Sequence, residues 1–319
     1  MTAFEPAYVR LWASGELQRR VEAAYAHLKS CVLCAWHCRA DRLSGKTGTC
    51  KTGELARVSS YFAHMGEEDP LRGSRGSGTI FFSRCNLRCQ FCQNYELSAE
   101  GEGVDVPPER IAAMMLELQD RGCHNINFVS PSHVVAPILA ATLIAAQAGL
   151  RLPLVYNTGG YDSPEALALL DGVIDIYMPD MKYGDPAVGQ KYSKVPDYPK
   201  HNFCAVKEMH RQVGDLVLDD RGIARRGLLV RHLVLPGGLA GTREVMRFLA
   251  REVSPDTYVN IMAQYHPAYR AAFPDTRDEL APLNRPVTAE EVAEAYRLAQ
   301  EAGLHRFDQR RRFVFWIGV

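Results

Sequence analysis

From Thr79 onward, short apolar runs alternate with segments whose apolar residues recur every three or four positions, the two periods of strand and helix. The pattern predicts strands over 79–82, 125–130, 152–157, 173–178, 228–235 and 258–262. Helices are predicted over 108–121, 134–147, 163–170, 198–213, 242–252 and 288–302, the last opened by the capping box Thr288-Ala289-Glu290-Glu291. A small hairpin is expected around Asp219-Asp220-Arg221-Gly222. About six strand–helix units with continuously apolar strands imply a parallel sheet covered by helices, and a full or partial β/α barrel fits better than a doubly wound sheet. Chemistry is then expected at the C-terminal strand ends. The tail, Arg310-Arg311-Arg312 followed by Phe313 to Ile317, reads as a last strand or a docking segment.

Ahead of Thr79 the pattern changes. Leu17, Val21, Tyr25 and Leu28 mark an amphipathic helix over 16–29, and residues 31–53 show little periodicity, as expected of a knuckle folded around something other than a core. The glycines between Gly73 and Gly78 precede a strand instead of joining strand to helix, which argues against a phosphate cradle. The chain is therefore divided into an N-terminal helix and cysteine knuckle (1–75) and a β/α barrel (76–319).

Composition narrows the function. Of 319 residues 47% are hydrophobic, enough for a core, and 37 basic side chains balance 37 acidic ones, which disfavours bulk nucleic-acid binding. No apolar run reaches membrane-spanning length and no signal-peptide pattern opens the chain, so a cytoplasmic protein with no membrane role is expected. Nine cysteines change the picture most, because seven fall in two clusters within the first 92 residues, a distribution suited to metal ligation rather than disulfides. Cys123 and Cys204 stand apart and read as buried small hydrophobes.

Cys85, Cys89 and Cys92 follow the first barrel strand with C-x3-C-x2-C spacing. Three thiolates on one loop suit a cubane 4Fe–4S cluster with one iron left open. A Cys3His zinc site is the alternative, but the loop holds no histidine, and zinc usually takes C-x2-C pairs. Cys31, Cys34, Cys38 and Cys50 form the other cluster, whose four thiols suit structural zinc or an auxiliary iron–sulfur cluster; a patch of free cysteines is the alternative.

The run Cys85-Asn86-Leu87-Arg88-Cys89-Gln90-Phe91-Cys92-Gln93-Asn94 after a barrel strand resembles the radical S-adenosylmethionine (SAM) superfamily, over about residues 70 to 305. Its context is similar to the pyruvate formate-lyase activating-enzyme group, and Gly227 to Gly238 with the N-terminal knuckle resemble a PflX-like branch of it. The resemblance implies an α/β fold, a partial (β/α)6-type barrel of the radical SAM kind with a small cysteine-rich metal-binding extension. It implies that the open iron chelates SAM, whose reductive cleavage yields a 5′-deoxyadenosyl radical that abstracts hydrogen from a substrate. Phe91 and Asn94 are then expected beside the cofactor. The family's Gly-Gly-Glu-Pro turn corresponds to Ser130-Pro131-Ser132-His133, where Ser130 and Ser132 replace the carboxylate as partners of the SAM ammonium. Asn157, Thr158, Asp180 and Lys182 match positions that in relatives surround a monovalent cation near the SAM carboxylate. Arg231 matches an arginine that reaches SAM, and His266 a histidine that contacts it. An external one-electron donor of flavodoxin or ferredoxin type is implied. The expected activity is installation of a glycyl radical in a partner protein, or radical modification of a small molecule or peptide. A non-catalytic iron–sulfur or zinc protein for binding or electron transfer is the alternative from another class.

Overall fold

The computed structural model describes residues 4–273 and 277–308; the basic-aromatic tail from Arg310 lies outside the described residues. The strands are β1 (Ala56–His64), β2 (Ser77–Phe82), β3 (Val104–Val106), β4 (Ile126–Val129), β5 (Leu154–Thr158), β6 (Ile176–Pro179), β7 (Val217–Leu218), β8 (Ala224–Leu233), β9 (Tyr258–Met262) and β10 (Arg306–Phe307). They hydrogen-bond in the order β10-β9-β8-β6-β5-β4-β2-β1-β3, with β7 beside β8. From β2 through β4, β5, β6, β8 and β9 each strand lies parallel to the next in chain order, the arrangement of an open, partial β/α barrel. The expected α/β barrel is borne out.

The main helices are α1 (Ala7–Ala13), α2 (Glu16–Leu28), α3 (Asp69–Arg72), α4 (Pro108–Asp120), α5 (Val135–Gln147), α6 (Pro164–Leu170), α7 (Pro186–Ser193), α8 (Tyr198–Val213), α9 (Thr242–Phe248), α10 (Arg277–Leu280) and α11 (Ala289–Ala302). The capping box at Thr288 and Glu291 is formed as the sequence predicts. Where one helix is expected over 242–252, the α-turns end at Phe248 and a π-turn continues to Val253. The return limb of the predicted hairpin runs unbroken into the buried strand, so β8 begins at Ala224. Cys123 is buried, but Cys204 lies exposed on α8, contrary to expectation, because its helical position faces away from the core contacts of Ala205 and Val206.

The first seventy-five residues are tied to the barrel at both ends. The Ala7 amide donates to Asp175 (2.8 Å), and the Tyr8 hydroxyl donates to the Leu152 carbonyl (3.1 Å), at the N-terminal ends of β6 and β5. Helix α2, about 20 Å long at 1.5 Å per residue, then carries the chain past α5 and α6 to the knuckle on the opposite rim. There Trp36 Nε1 donates to the Asn86 carbonyl (2.7 Å), and Asn86 Nδ2 to the Tyr161 carbonyl (2.8 Å). Strand β1, unpredicted, pairs antiparallel with β2 and β3 and so extends the same sheet.

Candidate functional site

The cysteine loop leaves β2 at Phe82 and is clamped from two sides. Arg88 and Gln90 donate their amides to the Ser193 and Tyr192 carbonyls at the end of α7 (3.1 and 2.8 Å), and the Ala271 amide donates to the Gln90 carbonyl (3.0 Å). Each of the three sulfurs faces a donor. Leu87 N–H reaches Cys85 (3.4 Å), Ser193 Oγ reaches Cys89 (2.9 Å) and Ser98 Oγ reaches Cys92 (3.2 Å). Such a set favours sulfur as acceptor, the state of a thiolate ligand, and hydrogen bonds to ligating sulfur tune a cluster. Burial pushes the Cys85 thiol up to about 12 and the Cys89 thiol up to about 11, with Lys182 opposing the rise at Cys89.

The three thiols line a cavity of about 250 Å3 at the C-terminal ends of the parallel strands. Ser130, Asn157, Thr158, Asp180, Lys182 and Arg231 line its polar side, with Phe91 and Asn94 beside the last cysteine. An isolated parallel bridge pairs Asp180 with Arg231, which sets the two side chains next to each other. Arg231 donates Nε to Asp180 (2.8 Å) and Nη2 to Asn157 (2.7 Å), while Lys182 Nζ donates to the other Asp180 oxygen (2.6 Å). Both oxygens of Asp180 are thus taken by cationic side chains, so a monovalent cation here would have to displace one of them. Burial alone would raise the Asp180 pKa; Arg231 and Lys182 outweigh it and hold the carboxyl below its usual range. For Lys182 burial works against the charge, and Asp180 outweighs it, so the ammonium is held more firmly than usual. Among the described residues no three His, Cys, Asp or Glu side chains are arranged to hold a single metal ion.

Thr158 is fixed from behind. Its hydroxyl donates to Asp162 (2.6 Å), lies 2.8 Å from Ser132 Oγ and accepts from Gly160 N–H (3.1 Å). Ser132 is therefore buried behind the lining instead of facing the cavity. His133 is buried too, its Nε2 donating to the Ser83 carbonyl (3.0 Å), and burial lowers its pKa to about 4, so the ring is neutral and braces the start of the cysteine loop. His266 stands exposed outside the lining, 3.2 Å from the Gln93 side chain, which does line the cavity.

Several site residues escape the sequence reading. Ser98 and Ser193 serve two sulfurs from a π-turn and a helix end. Glu67 and Glu68, from the loop between β1 and α3, are buried inside the barrel, where Asn127 donates to Glu67 (2.5 Å), Asn260 donates to Glu68 (2.8 Å) and Arg231 Nη1 lies 3.8 Å from Glu67. Burial, then the neighbouring Glu68, raise the Glu67 pKa. Their only sequence signal is a Gly-Glu-Glu-Asp-Pro run that reads as a solvated loop.

The knuckle gathers the other four thiols. Arg42, itself buried, donates to Cys31 (3.6 Å) and twice to the Gly53 carbonyl (2.9 and 2.7 Å). The Trp36 backbone N–H serves Cys34 and Thr52 serves Cys50. Cys31, Cys34 and Cys50 are buried and Cys38 is exposed; any side chain at Gly48 would collide with the Cys38 sulfur.

The partial β/α barrel, with three thiols and an ionic rim sharing a cavity at its strand ends, defines the fold class. The description of the Radical SAM superfamily matches residues 79–249, just over half of the chain, and the protein belongs to that superfamily. Over 297 residues it is 31% identical to Uncharacterized protein MJ0674 of Methanocaldococcus jannaschii, spanning 90% of this chain and 79% of that one. A radical SAM methyltransferase from Sphaerobacter thermophilus aligns over 93% of this chain and 91% of its own at 13% identity and a TM-score of 0.47. Methylornithine synthase (PylB) aligns over 73% of each chain at 14% identity and a TM-score of 0.41. The family implies a 4Fe–4S cluster, SAM and an external electron donor. Among the described residues no helix is long and apolar enough to cross a membrane.

Proposed function

We propose that Cys85, Cys89 and Cys92 hold a 4Fe–4S cluster at which SAM is cleaved, and that the resulting chemistry acts on a protein glycyl site in the manner of the activating enzymes. The observation that carries the reading is the donor set: every one of the three sulfurs lining the cavity accepts a hydrogen bond, and the ionic rim of Asp180, Lys182 and Arg231 shares that cavity. When bound, the cluster and SAM supply a one-electron cleavage that delivers a hydrogen-abstracting radical.

The chain's own residues bind and position. Lys182 and Arg231 bring two positive charges against the one carboxylate of Asp180, an arrangement that suits the carboxylate of SAM. Ser130, held at φ 59° with its amide on the Asn157 carbonyl (2.9 Å), offers its hydroxyl where relatives present a carboxylate to the SAM ammonium. Leu87, Phe91, Leu97, Val129, Leu233 and Met262 keep the other walls apolar and exclude water. The activating-enzyme reading draws on the cysteine-loop sequence; the altered Ser130-Pro131-Ser132-His133 turn favours a second reading, a small molecule or peptide as target. In the knuckle, Cys31, Cys34, Cys38 and Cys50 would close up from their present arrangement to take zinc or an auxiliary iron–sulfur cluster, supported by the donors Arg42, Trp36 and Thr52.

Anaerobically reconstituted protein given SAM and dithionite should release 5′-deoxyadenosine, and Cys89→Ala should abolish it; release unchanged in that variant would refute the cluster assignment. With a glycyl radical enzyme present, a doublet EPR signal supports the activase reading, and its absence with a verified partner leaves the small target. Iron and zinc counts on a Cys85/Cys89/Cys92 triple alanine variant identify the knuckle's metal.

A further inference from the structure

The cysteine loop has a second face. Behind it lies another cavity, of about 290 Å3, that shares Cys85, Leu87, Cys89 and Ser98 with the site cavity. Its outer wall includes Cys50 and Lys51 of the knuckle, so it lies between the two cysteine clusters. Five cationic residues line it, Lys51, Arg84, Arg88, Lys194 and Arg270, and no carboxylate is among its described lining. In a chain with 37 basic and 37 acidic side chains this is segregation of charge, not excess. All but Arg84 are exposed. Arg88 and Arg84 are steadied by the Thr49 and Ala99 carbonyls (3.1 and 3.3 Å). The adjoining depression that shares Lys51 and Arg84 holds two carboxylates, Asp105, which is bound to Arg57 (2.8 Å), and the exposed Glu54.

Backbone geometry marks the same place. Lys51, Arg84, Lys194 and Tyr269 all line this cavity and all have positive φ, at 53°, 69°, 56° and 50°. Glycine is favoured in that region, and side chains kept there concentrate at functional sites.

We infer that this face is the docking surface for an acidic one-electron donor protein. The inference rests on the proposed cluster at Cys85, Cys89 and Cys92 and concerns how it is reduced. The front cavity is committed to cofactor and substrate, so an electron from outside needs another approach, and the shared wall of Cys85 and Cys89 provides it. The cations come from four separate segments (knuckle, cysteine loop, end of α7 and the 270 loop), so matching them all takes a macromolecular surface rather than one small anion. One electron leaves the reduced donor, which is oxidised by one, and enters the iron–sulfur group across that wall; no bond forms or breaks. Complementary charge of this kind acts chiefly on encounter rate and is screened by salt.

The test uses reconstituted holoenzyme, a reduced flavodoxin and a Lys194→Glu/Arg270→Glu variant, which avoids both cysteine loops. Cluster reduction is followed by loss of its visible absorbance, and binding of oxidised flavodoxin by fluorescence titration. Reversing two charges should slow reduction by flavodoxin about tenfold or more at low salt and weaken binding in parallel, and high salt should erase the difference. Reduction by photoexcited deazariboflavin, a small uncharged reductant, should match wild type. Unchanged flavodoxin rate and affinity would overturn the docking surface, as would an equal loss with deazariboflavin. Failure of the wild-type protein to cleave SAM after chemical reduction would count against the proposed function instead, and the titration would still decide the docking.

Discussion

Asp180 is the keystone of the polar rim, and replacing it with asparagine tests the site without any cofactor present. In the native protein its two oxygens pair with Lys182 and Arg231, whose side chains are only 16% and 18% exposed. Asparagine leaves both cations in place and removes their charge partner. Breaking a buried pair in this way costs about 3–5 kcal/mol, because the remaining charge is desolvated and uncompensated. Arg231 keeps Asn157 at 2.7 Å and Glu67 at 3.8 Å, which places the expected loss near the lower end, about 3 kcal/mol. For 319 residues the unfolding entropy makes 1 kcal/mol worth about 1.5 °C, so the apo melting temperature should fall by about 5 °C.

Lys182→Met removes the more isolated of the two cations, and a double-mutant cycle gives the sign. Combined with Asp180→Asn it should recover roughly half of the lost stability, a coupling of about 1–2 kcal/mol. The assay is urea denaturation of apo protein under reducing conditions, with thermal melts alongside. Singles that simply add would refute the reasoning, since the site would then not be held by this charge compensation. The pH dependence supplies a second check. The Asp180 pKa is depressed in the folded state, so its contribution is present above the ordinary carboxylate range and is lost as pH falls through the depressed value. Asp180→Asn should therefore lose less stability than wild type on acidification.

Glu67 predicts the opposite slope: its pKa is raised on folding, so its contribution is full below the ordinary carboxylate range and is lost as pH rises through the raised folded value. Glu67→Gln should flatten the decline of apo stability toward and past neutral pH in denaturant titrations, while Asp175, which burial raises to about 7, keeps part of it; an unchanged slope would exclude Glu67 as its source. Gly160→Ala should destabilise by several kcal/mol and weaken SAM binding measured by equilibrium dialysis, because a methyl group there meets Asn202 and the Asp180 carbonyl at a φ of 74°. Cys34→Ser should remove the knuckle's metal in elemental counts while leaving the iron held by the other cysteine loop, and parallel loss of both would show that the two loops fold as one unit.

The sequence carries the barrel because its period is local. Val155, Tyr156, Ile176 and Tyr177 are buried in runs too short for helices, and each is followed by polar residues that reach the rim. Strand β1 is missed for the converse reason: Arg57, Ser59, Ser60 and His64 interrupt its apolar residues, and only two of its nine residues, Ala56 and Val58, are buried. Asp180, Lys182, Asn157 and Arg231 are legible as residues at strand ends, but their mutual bonding is not, since it depends on β6 and β8 coming into register across 51 residues of chain. Ser193 lies 104 positions from the thiol it serves, and Glu68 lies 192 from Asn260. Nothing periodic announces such contacts. His266, by contrast, stands out as a lone histidine after a strand, yet it reaches the cavity only through Gln93.

The cysteine loop can be understood as a partition, which explains why a chain of zero net charge has two cationic faces around it. On the front, Lys182 and Arg231 are buried and answered by Asp180 in register, so their charge is local, unscreened and fixed in direction. On the back, Lys194, Arg270 and their neighbours stand mostly exposed, where charge acts at longer range and is tuned by salt. A small cofactor whose carboxylate must be oriented to within a bond length calls for the first kind of charge; a protein that must be attracted, aligned and released calls for the second. The knuckle gives the back face its outer wall and, through Trp36 and Asn86, is hydrogen-bonded to the same loop whose sulfurs face the front. The N-terminal extension therefore serves the site mechanically, independently of any metal at its four thiols, and loosening it at Trp36 should disturb electron entry before it disturbs cofactor binding.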